Sequence, residues 1–443
     1  MKTQATAEAA REDNRLRPAD RVAHDWYRFV LSFPPHLVRN YLELFQADSE
    51  SIVLDPFCGT GTTLVECKKL GIPSIGIEAN PMASFASEVK VDWTVEPDHL
   101  LEHARKVARI ARARLQADGL LDDDAPLFQR RRKAHLQLRT LLPETWKLLL
   151  RNCISPLPLH KALVLLDTLQ QQEDLKVMRH EKLAMARSII SDISNLHFGP
   201  EVGVGPPRID APVVTSWLNR VRSIADDLRL LGPESGTPSL VYRADSRSLA
   251  EVLQPDSIDI VITSPPYPNE KDYTRTTRLE SVLLGFIRDK QDLRMLKQTL
   301  VRSNTRGVYK VDRDDTLVAE HEEIQRIAAA IEKRRIELGK TSGFERLYAK
   351  VTKLYFGGMA RHLADLRRVL HRGARLAYVV GDQASYLRVM IRTGQLIAGI
   401  AQSLGYEVVG IDLFRTRLAT ATGEQLREEV VHLRWPGKKS LRV

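Results

Sequence analysis

One stretch, residues 51–78, constrains the fold more than any other. Ser51-Ile52-Val53-Leu54 is a short apolar run rich in β-branched residues, the pattern of a buried strand. It ends at Asp55-Pro56-Phe57-Cys58-Gly59-Thr60-Gly61, after which Thr62 to Leu70 turns helical and Gly71 supplies a stop. Ser74-Ile75-Gly76-Ile77 reads as a second strand ending at Glu78. Parallel neighbours need a crossover of a dozen or more residues, and one helix fits between these runs.

The same alternation returns late in the chain. Strand patterns occur at 239–242, 257–262, 374–380, 406–413 and 428–435, with a helix near 388–403. A long helical pattern spans 344–370, with a bend expected at Gly357-Gly358. Seven strands interleaved with helices predict an α/β fold, a doubly wound and mostly parallel sheet. Ligands of such sheets sit beyond the C-terminal strand ends. Asp55, Glu78, Asp245, Ser264 and Asp382 all fall at those ends.

Two stretches interrupt the alternation. Residues 94–238 carry helical patterns at 98–111, 158–175, 180–191 and 213–231, with a Gly/Pro-rich break from Gly199 to Pro207. Residues 270–342 are polar, charged and mostly helical. The organisation expected is a flexible arm at 1–20, a catalytic domain from 21–93 and 239–443, a helical insertion at 94–238, and a second insertion at 270–342. The arm is polar and charged, as loosely held termini are.

The loop after the first strand favours a nucleoside ligand. Gly59 and Gly61 let backbone approach a ligand closely, and a carboxylate at the second strand end, Glu78, accepts both hydroxyl hydrogens of a ribose. Asp245 or Ser246 is placed to hold an adenine amine. Leu64 stands where a dinucleotide fingerprint has its third glycine, so a ribose without a pyrophosphate fits better than NAD. The loop Thr263-Ser264-Pro265-Pro266-Tyr267 suits an exocyclic amine. Two prolines stiffen it while keeping their carbonyls as acceptors. An amine with two hydrogens meets two acceptors, the Ser264 oxygen and the Pro265 carbonyl. Tyr267 offers a face on which an unstacked base rests.

With these motifs the chain resembles the DNA amino-methyltransferases, over roughly residues 24–93 and 239–435. Asp55 to Thr63 is similar to their first motif, which implies that Asp55, Pro56, Phe57, Gly59, Gly61 and Thr62 hold the methionine part of S-adenosylmethionine. Glu78, with Ala79, matches the ribose position, and Asp245, with Ser246, the adenine position. Phe33-Pro34 looks like the short motif that closes over the methionine end. Ser264, Pro265, Pro266 and Tyr267 match the catalytic motif, and serine in first place resembles the cytosine-N4 group more than the adenine-N6 group. The resemblance implies a seven-stranded Rossmann-like methyltransferase sheet. It implies direct methyl transfer from S-adenosylmethionine to cytosine N4 in flipped-out double-stranded DNA, with no metal and no covalent enzyme intermediate, in the setting of a restriction-modification system with a cognate endonuclease. Neither Cys58, Cys67 nor Cys153 follows a proline, which disfavours C5 chemistry.

A formal net charge of +10 suits a polyanionic partner. Arg130, Arg131, Arg132, Lys133 and Arg275 are the candidate DNA contacts, with 94–238 as main reader and 270–342 as clamp. Two insertions depart from the usual family layout, so the place of target recognition stays open between them. The three cysteines have no metal or disulfide spacing, and no apolar run of membrane length or signal-peptide core exists, which implies a cytoplasmic protein. The alternatives are adenine-N6 chemistry, an RNA guanine-N2 or protein-glutamine methyltransferase of the same fold, and a catalytically silent DNA-binding subunit.

Overall fold

The computed structural model describes residues 16–28, 32–122, 137–198, 202–232, 236–269, 271–418 and 425–437. The candidate DNA contacts Arg130 to Lys133 lie outside the described residues, as does most of the expected N-terminal arm. After helix α1 (Pro35–Leu44) come β1 (Val53–Asp55), α2 (Thr62–Lys69), β2 (Ser74–Ile77) and α3 (Pro81–Lys90). Helices α4 (Pro97–Ala117), α5 (Pro156–Gln171) and α6 (Met178–Ser188) follow, then the strand pair β3 (Leu196–Phe198) and β4 (Val202–Val204), then α7 (Val213–Leu231). The chain returns to β5 (Ser239–Tyr242) and β6 (Ile258–Thr263), crosses α8 (Lys290–Thr299), α9 (Glu322–Glu337) and α10 (Tyr348–Leu366), and ends with β7 (Leu370–Gly381), α11 (Thr393–Ser403), β8 (Glu407–Leu418) and β9 (Gln425–Arg434).

The main sheet has seven strands in the order β5-β2-β1-β6-β7-β9-β8. The first five are mutually parallel, β9 runs antiparallel to β7, and β8 to β9. This is the expected doubly wound, mostly parallel α/β sheet. Its strands alternate between two cores, as the period of two demands. Leu54, Val261, Leu376, Tyr378, Val380 and Val431 pack with α9, α10 and α11 on one face. Val53, Ile260, Ile262, Ala377, Val379 and Val430 pack with Leu37, Val38, Tyr41 and Leu42 of α1 on the other. Central parallel strands are covered on both sides, which is why their sequence is almost unbroken aliphatic.

The segment between β2 and β5 supplies most of a third core, which also takes in Trp26, Tyr27, Leu64, Val65 and Leu279 from outside it. Leu100, Leu101, Ala104, Val107, Ala108, Ala111 and Leu115 form the buried stripe of α4 and meet Trp217, Val221 and Ile224 of α7. This segment is not wholly helical: β3 and β4 pair as an antiparallel ribbon where only a Gly/Pro break was expected. At Gly357-Gly358, where a bend was expected, α10 is continuous. The glycine there answers packing: a Cβ on Gly357 would lie 1.8 Å from the Asp314 carbonyl oxygen, so backbone from the segment before α9 rests directly on the helix.

Candidate functional site

A cavity of about 360 Å³ opens where β1, β2, β5 and β6 end, and both inserted segments help to wall it. That volume is in the range of small-molecule sites. Gly61 begins α2 in the left-handed region (φ 81°), and a Cβ there would lie 2.7 Å from Ser87 Oγ. Glycine is therefore required both by conformation and by space. Ser87 Oγ donates to the Gly59 carbonyl (3.1 Å), and Lys90 Nζ donates to the Thr60 carbonyl (2.8 Å). The loop is thus pinned from below by α3.

Of the candidate cofactor residues, Phe33, Pro34, Pro56, Phe57, Gly59 and Thr62 line the cavity. Glu78, Ala79 and Ser246 do so from the neighbouring strand ends. Glu78 accepts from the backbone N–H of Gly59 (3.0 Å) and of Asn80 (2.7 Å). Burial pushes its carboxyl up to about 7 against those two hydrogen bonds. Ser246 is held through its carbonyl by buried His362 (2.7 Å), whose other ring nitrogen meets the Tyr378 hydroxyl (2.7 Å). Burial lowers the His362 pKa to about 4. The ring is therefore neutral near pH 7, with Nδ1–H donating to Ser246 and Nε2 accepting from Tyr378. The same ring stands edge-on to Phe57, centroids 4.9 Å apart.

Asp55, Gly61 and Asp245 are placed beside the cavity and not on its wall. Asp55 is fully buried and accepts from Thr63 Oγ1 (2.7 Å), Thr263 Oγ1 (2.6 Å) and the Phe57 N–H (3.1 Å). It ties the ends of β1 and β6 to the start of α2, and burial pushes its carboxyl up to about 6. Asp245 is bound by Arg247 (2.7 Å), which also reaches Asp314 (2.8 Å). That carboxylate is therefore linked from the third strand end to the second inserted segment. Asp382, at the end of β7, is buried and paired with Arg392 (2.6 Å).

Ser264, Pro265, Pro266 and Tyr267 line the same cavity. Ser264 Oγ donates to the Val379 carbonyl (3.1 Å). Its one proton is thereby used on the sheet, which leaves oxygen lone pairs as acceptors. The Tyr267 hydroxyl is held well above its ordinary pKa, by burial first and then by the nearby Glu428 charge. The phenol stays neutral.

Sequence reasoning missed much of the remaining wall. Arg28 stands in the segment before α1, Arg187 at the end of α6, and Arg415 and Glu428 on the β8–β9 ribbon. Lys271, Lys297 and Arg306 come from the segment after β6, where they join Arg275, the candidate DNA contact that the sequence did single out. A shallower groove of about 220 Å³ continues from Arg275, Lys297 and Arg306 to Arg278 and Leu148. Arg278 donates to the Leu148 carbonyl (3.2 Å), joining the two inserted segments. The aromatic run at 24–29 was the only signal near Arg28; nothing in spacing marks Arg187.

Among the described residues no group of three or more His, Cys, Asp or Glu is placed to hold a metal, and no helix is long and apolar enough to cross a membrane. The three cysteines are free and buried.

The sequence has recognisable relatives. The profile of the DNA methylase family matches residues 8–86, the stretch from the N-terminal segment through the first two strands. Over 93% of its length the chain is 26% identical to the type II methyltransferase M.BsoBI of Geobacillus stearothermophilus, 84% of which is covered. It is 25% identical to the type II methyltransferase M.AvaI of Anabaena variabilis, over 97% of this chain and 86% of that one. A short stretch of 68 residues is 40% identical to the type II methyltransferase M.MjaII of Methanocaldococcus jannaschii, covering 15% of this chain and 13% of that one. An overlay on TrmN from Thermus thermophilus covers 95% of this chain and 54% of that structure at 11% identity, with a TM-score of 0.31.

Proposed function

Since this chain belongs to the DNA methylase family, and is an S-adenosylmethionine-dependent methyltransferase, we propose that it methylates the N4 amine of cytosine in double-stranded DNA. The observation that carries the choice of reaction is the convergence of Glu78, Ser246 and the Ser264-Pro265-Pro266-Tyr267 loop on one cavity.

The residues present fit S-adenosylmethionine. Glu78 offers a carboxylate to two ribose hydroxyls, Ser246 and Phe57 frame a flat aromatic group, and Phe33-Pro34 flanks the opposite end. When bound, the cofactor supplies an electrophilic methyl group on a sulfonium. Ser264 Oγ and the Pro265 carbonyl accept the two hydrogens of the target amine, which draws its nitrogen lone pair away from the ring. Tyr267, neutral and flat, supports the base once it has left the duplex, a displacement that costs a few kcal/mol. Catalysis in this arrangement is mostly positioning. Arg275 and Arg306, along the groove that leads from the cavity, suit phosphates of the displaced strand, while Lys297 beside them is paired with Asp272 (2.9 Å). Both inserted segments reach the mouth of the site, 94–238 as the main reader of sequence and 270–342 as the clamp. The same reading includes a partner endonuclease and a cytoplasmic setting.

The test is mass spectrometry of nucleosides from DNA incubated with the protein and deuterated-methyl S-adenosylmethionine. Labelled N4-methylcytosine is expected. Labelled N6-methyladenine would overturn the base and keep the chemistry, while label in tRNA or protein alone would overturn the polymer.

A further inference from the structure

Two arginines on the cavity wall have no role in the proposed reaction. Arg28 precedes α1, and Arg187 lies in the last turn of α6, just before a π-helical turn, Ile189–Ile193, that also places Ile190 and Ser191 on the wall. Wide turns of this kind recur at functional sites. The Nε of Arg187 is buried without a hydrogen-bond partner. Burial lowers the pKa of both guanidinium groups, and the Arg187 charge lowers that of Arg28 further. Of the two carboxylates whose charges reach this pair, Asp192 is bound by Arg220 (3.0 Å), while Asp25, partly exposed and 3.8 Å from Arg21, opposes the Arg187 charge at Arg28.

Two partly buried cations that line one cavity and feel each other's charge are costly unless an anion joins them. Position identifies the anion. Buried Lys90 donates to the carbonyls of Thr60 (2.8 Å) and Tyr27 (3.3 Å), so it joins the Gly59-Thr60-Gly61 loop to the residue next to Arg28. After burial, the Arg28 charge is the largest influence lowering the Lys90 pKa. The arginine pair therefore stands at the Gly59-to-Gly61 end of the cavity, with Phe33 and Pro34 close in sequence to Arg28. The groove of Arg275 and Arg306 does not include either residue.

We propose that Arg28 and Arg187 form a carboxylate clamp for the amino-acid end of S-adenosylmethionine. The inference rests on the reading of the cavity as that cofactor's site. It adds that a side chain from the segment between β2 and β5 completes the cofactor pocket, so that this segment is ordered against the catalytic core when cofactor binds. Arginine suits the role because its planar fork matches a carboxylate with two parallel hydrogen bonds.

The experiment is calorimetric titration of the full chain with S-adenosylmethionine and with its decarboxylated analogue, for the wild type, Arg187→Gln and Arg28→Gln. The wild type is expected to prefer the carboxylated ligand by about tenfold to a hundredfold, the usual range for a charge-assisted hydrogen bond. Each variant should lose most of that preference while keeping its affinity for the decarboxylated analogue, which also shows that the variant is folded. A variant that misfolds loses both ligands, and the substitution at the other arginine then decides the question. Preference retained in a folded variant overturns the clamp and leaves the proposed function standing. So does retained preference with a weaker salt dependence of DNA binding, which would make the pair a phosphate contact. A wild type that binds neither ligand overturns the cofactor reading itself.

Discussion

The sheet side and the inserted side of the cavity are built by different means. On the sheet side the groups are short and locked. Ser264 is spent on Val379, Glu78 on two backbone amides, and the Ser246 carbonyl on a neutral His362. On the inserted side the groups are long cations. Arg187 has an unpartnered nitrogen, and Arg275 and Arg306 line an open groove. Fixed acceptors suit a reaction that depends on alignment to a fraction of an ångström. Long cations suit anions whose position varies, at the cost of side-chain entropy on binding. The contrast implies that chemistry and recognition are separable in this molecule, and substitution on each side tests that separation.

The strongest loss is expected at the catalytic loop. Ser264→Ala should slow methyl transfer by about 10²- to 10³-fold, as loss of one aligned hydrogen bond at a reacting group does. Cofactor affinity should change less than about twofold, on the scale where tenfold is 1.4 kcal/mol. Single-turnover rates with parallel titrations check both, and a variant of wild-type rate would end the separation.

Next comes the buried bracket. Asp55→Ala strands three donors and should cost about 3 kcal/mol of stability, read by urea unfolding. Asp55 has no face on the cavity, so the resemblance to a cofactor-binding residue reappears here as loop geometry. A stable variant with weak cofactor binding would return it to direct contact.

A smaller effect follows from Glu78. Its carboxyl, raised to about 7 by burial, is protonated below that pH and there loses acceptor capacity. Affinity for S-adenosylmethionine should therefore rise as pH climbs through about 7, and Glu78→Gln should remove this part of the rise. Titrations at several pH values compare the two proteins, and superimposable profiles would take Glu78 out of the site.

The mildest change belongs to the inserted side. Arg275→Gln and Arg306→Gln should each reduce the slope of log affinity for DNA against log salt by about one, with the single-turnover rate at saturating DNA nearly intact. A collapsed rate with an unchanged slope would place these residues in the chemistry.

What could be read from the chain depends on range. The strand ends were readable because each motif is contiguous: an aliphatic run, then Asp55 to Gly61, then Glu78, and later Ser264 to Tyr267. A buried parallel strand needs apolar residues on both faces, and its end loop must carry the ligand's partners. Those demands are local, so the amino-acid order was enough to specify the seven-stranded α/β sheet and the residues at its ends. Folding in three dimensions settled what each side chain faces. Asp55 and Glu78 look alike in sequence, yet one is wrapped by three protein donors and the other opens on the cavity. Asp245, expected from the sequence to meet adenine, is paired with Arg247, itself bridged to Asp314. Arg28 and Arg187 are far apart in the chain, and only the packing of α6 against the catalytic core brings them to one wall. The physical reason is that backbone periodicity is written in neighbouring residues, whereas charge partnership is settled by what folding brings into contact.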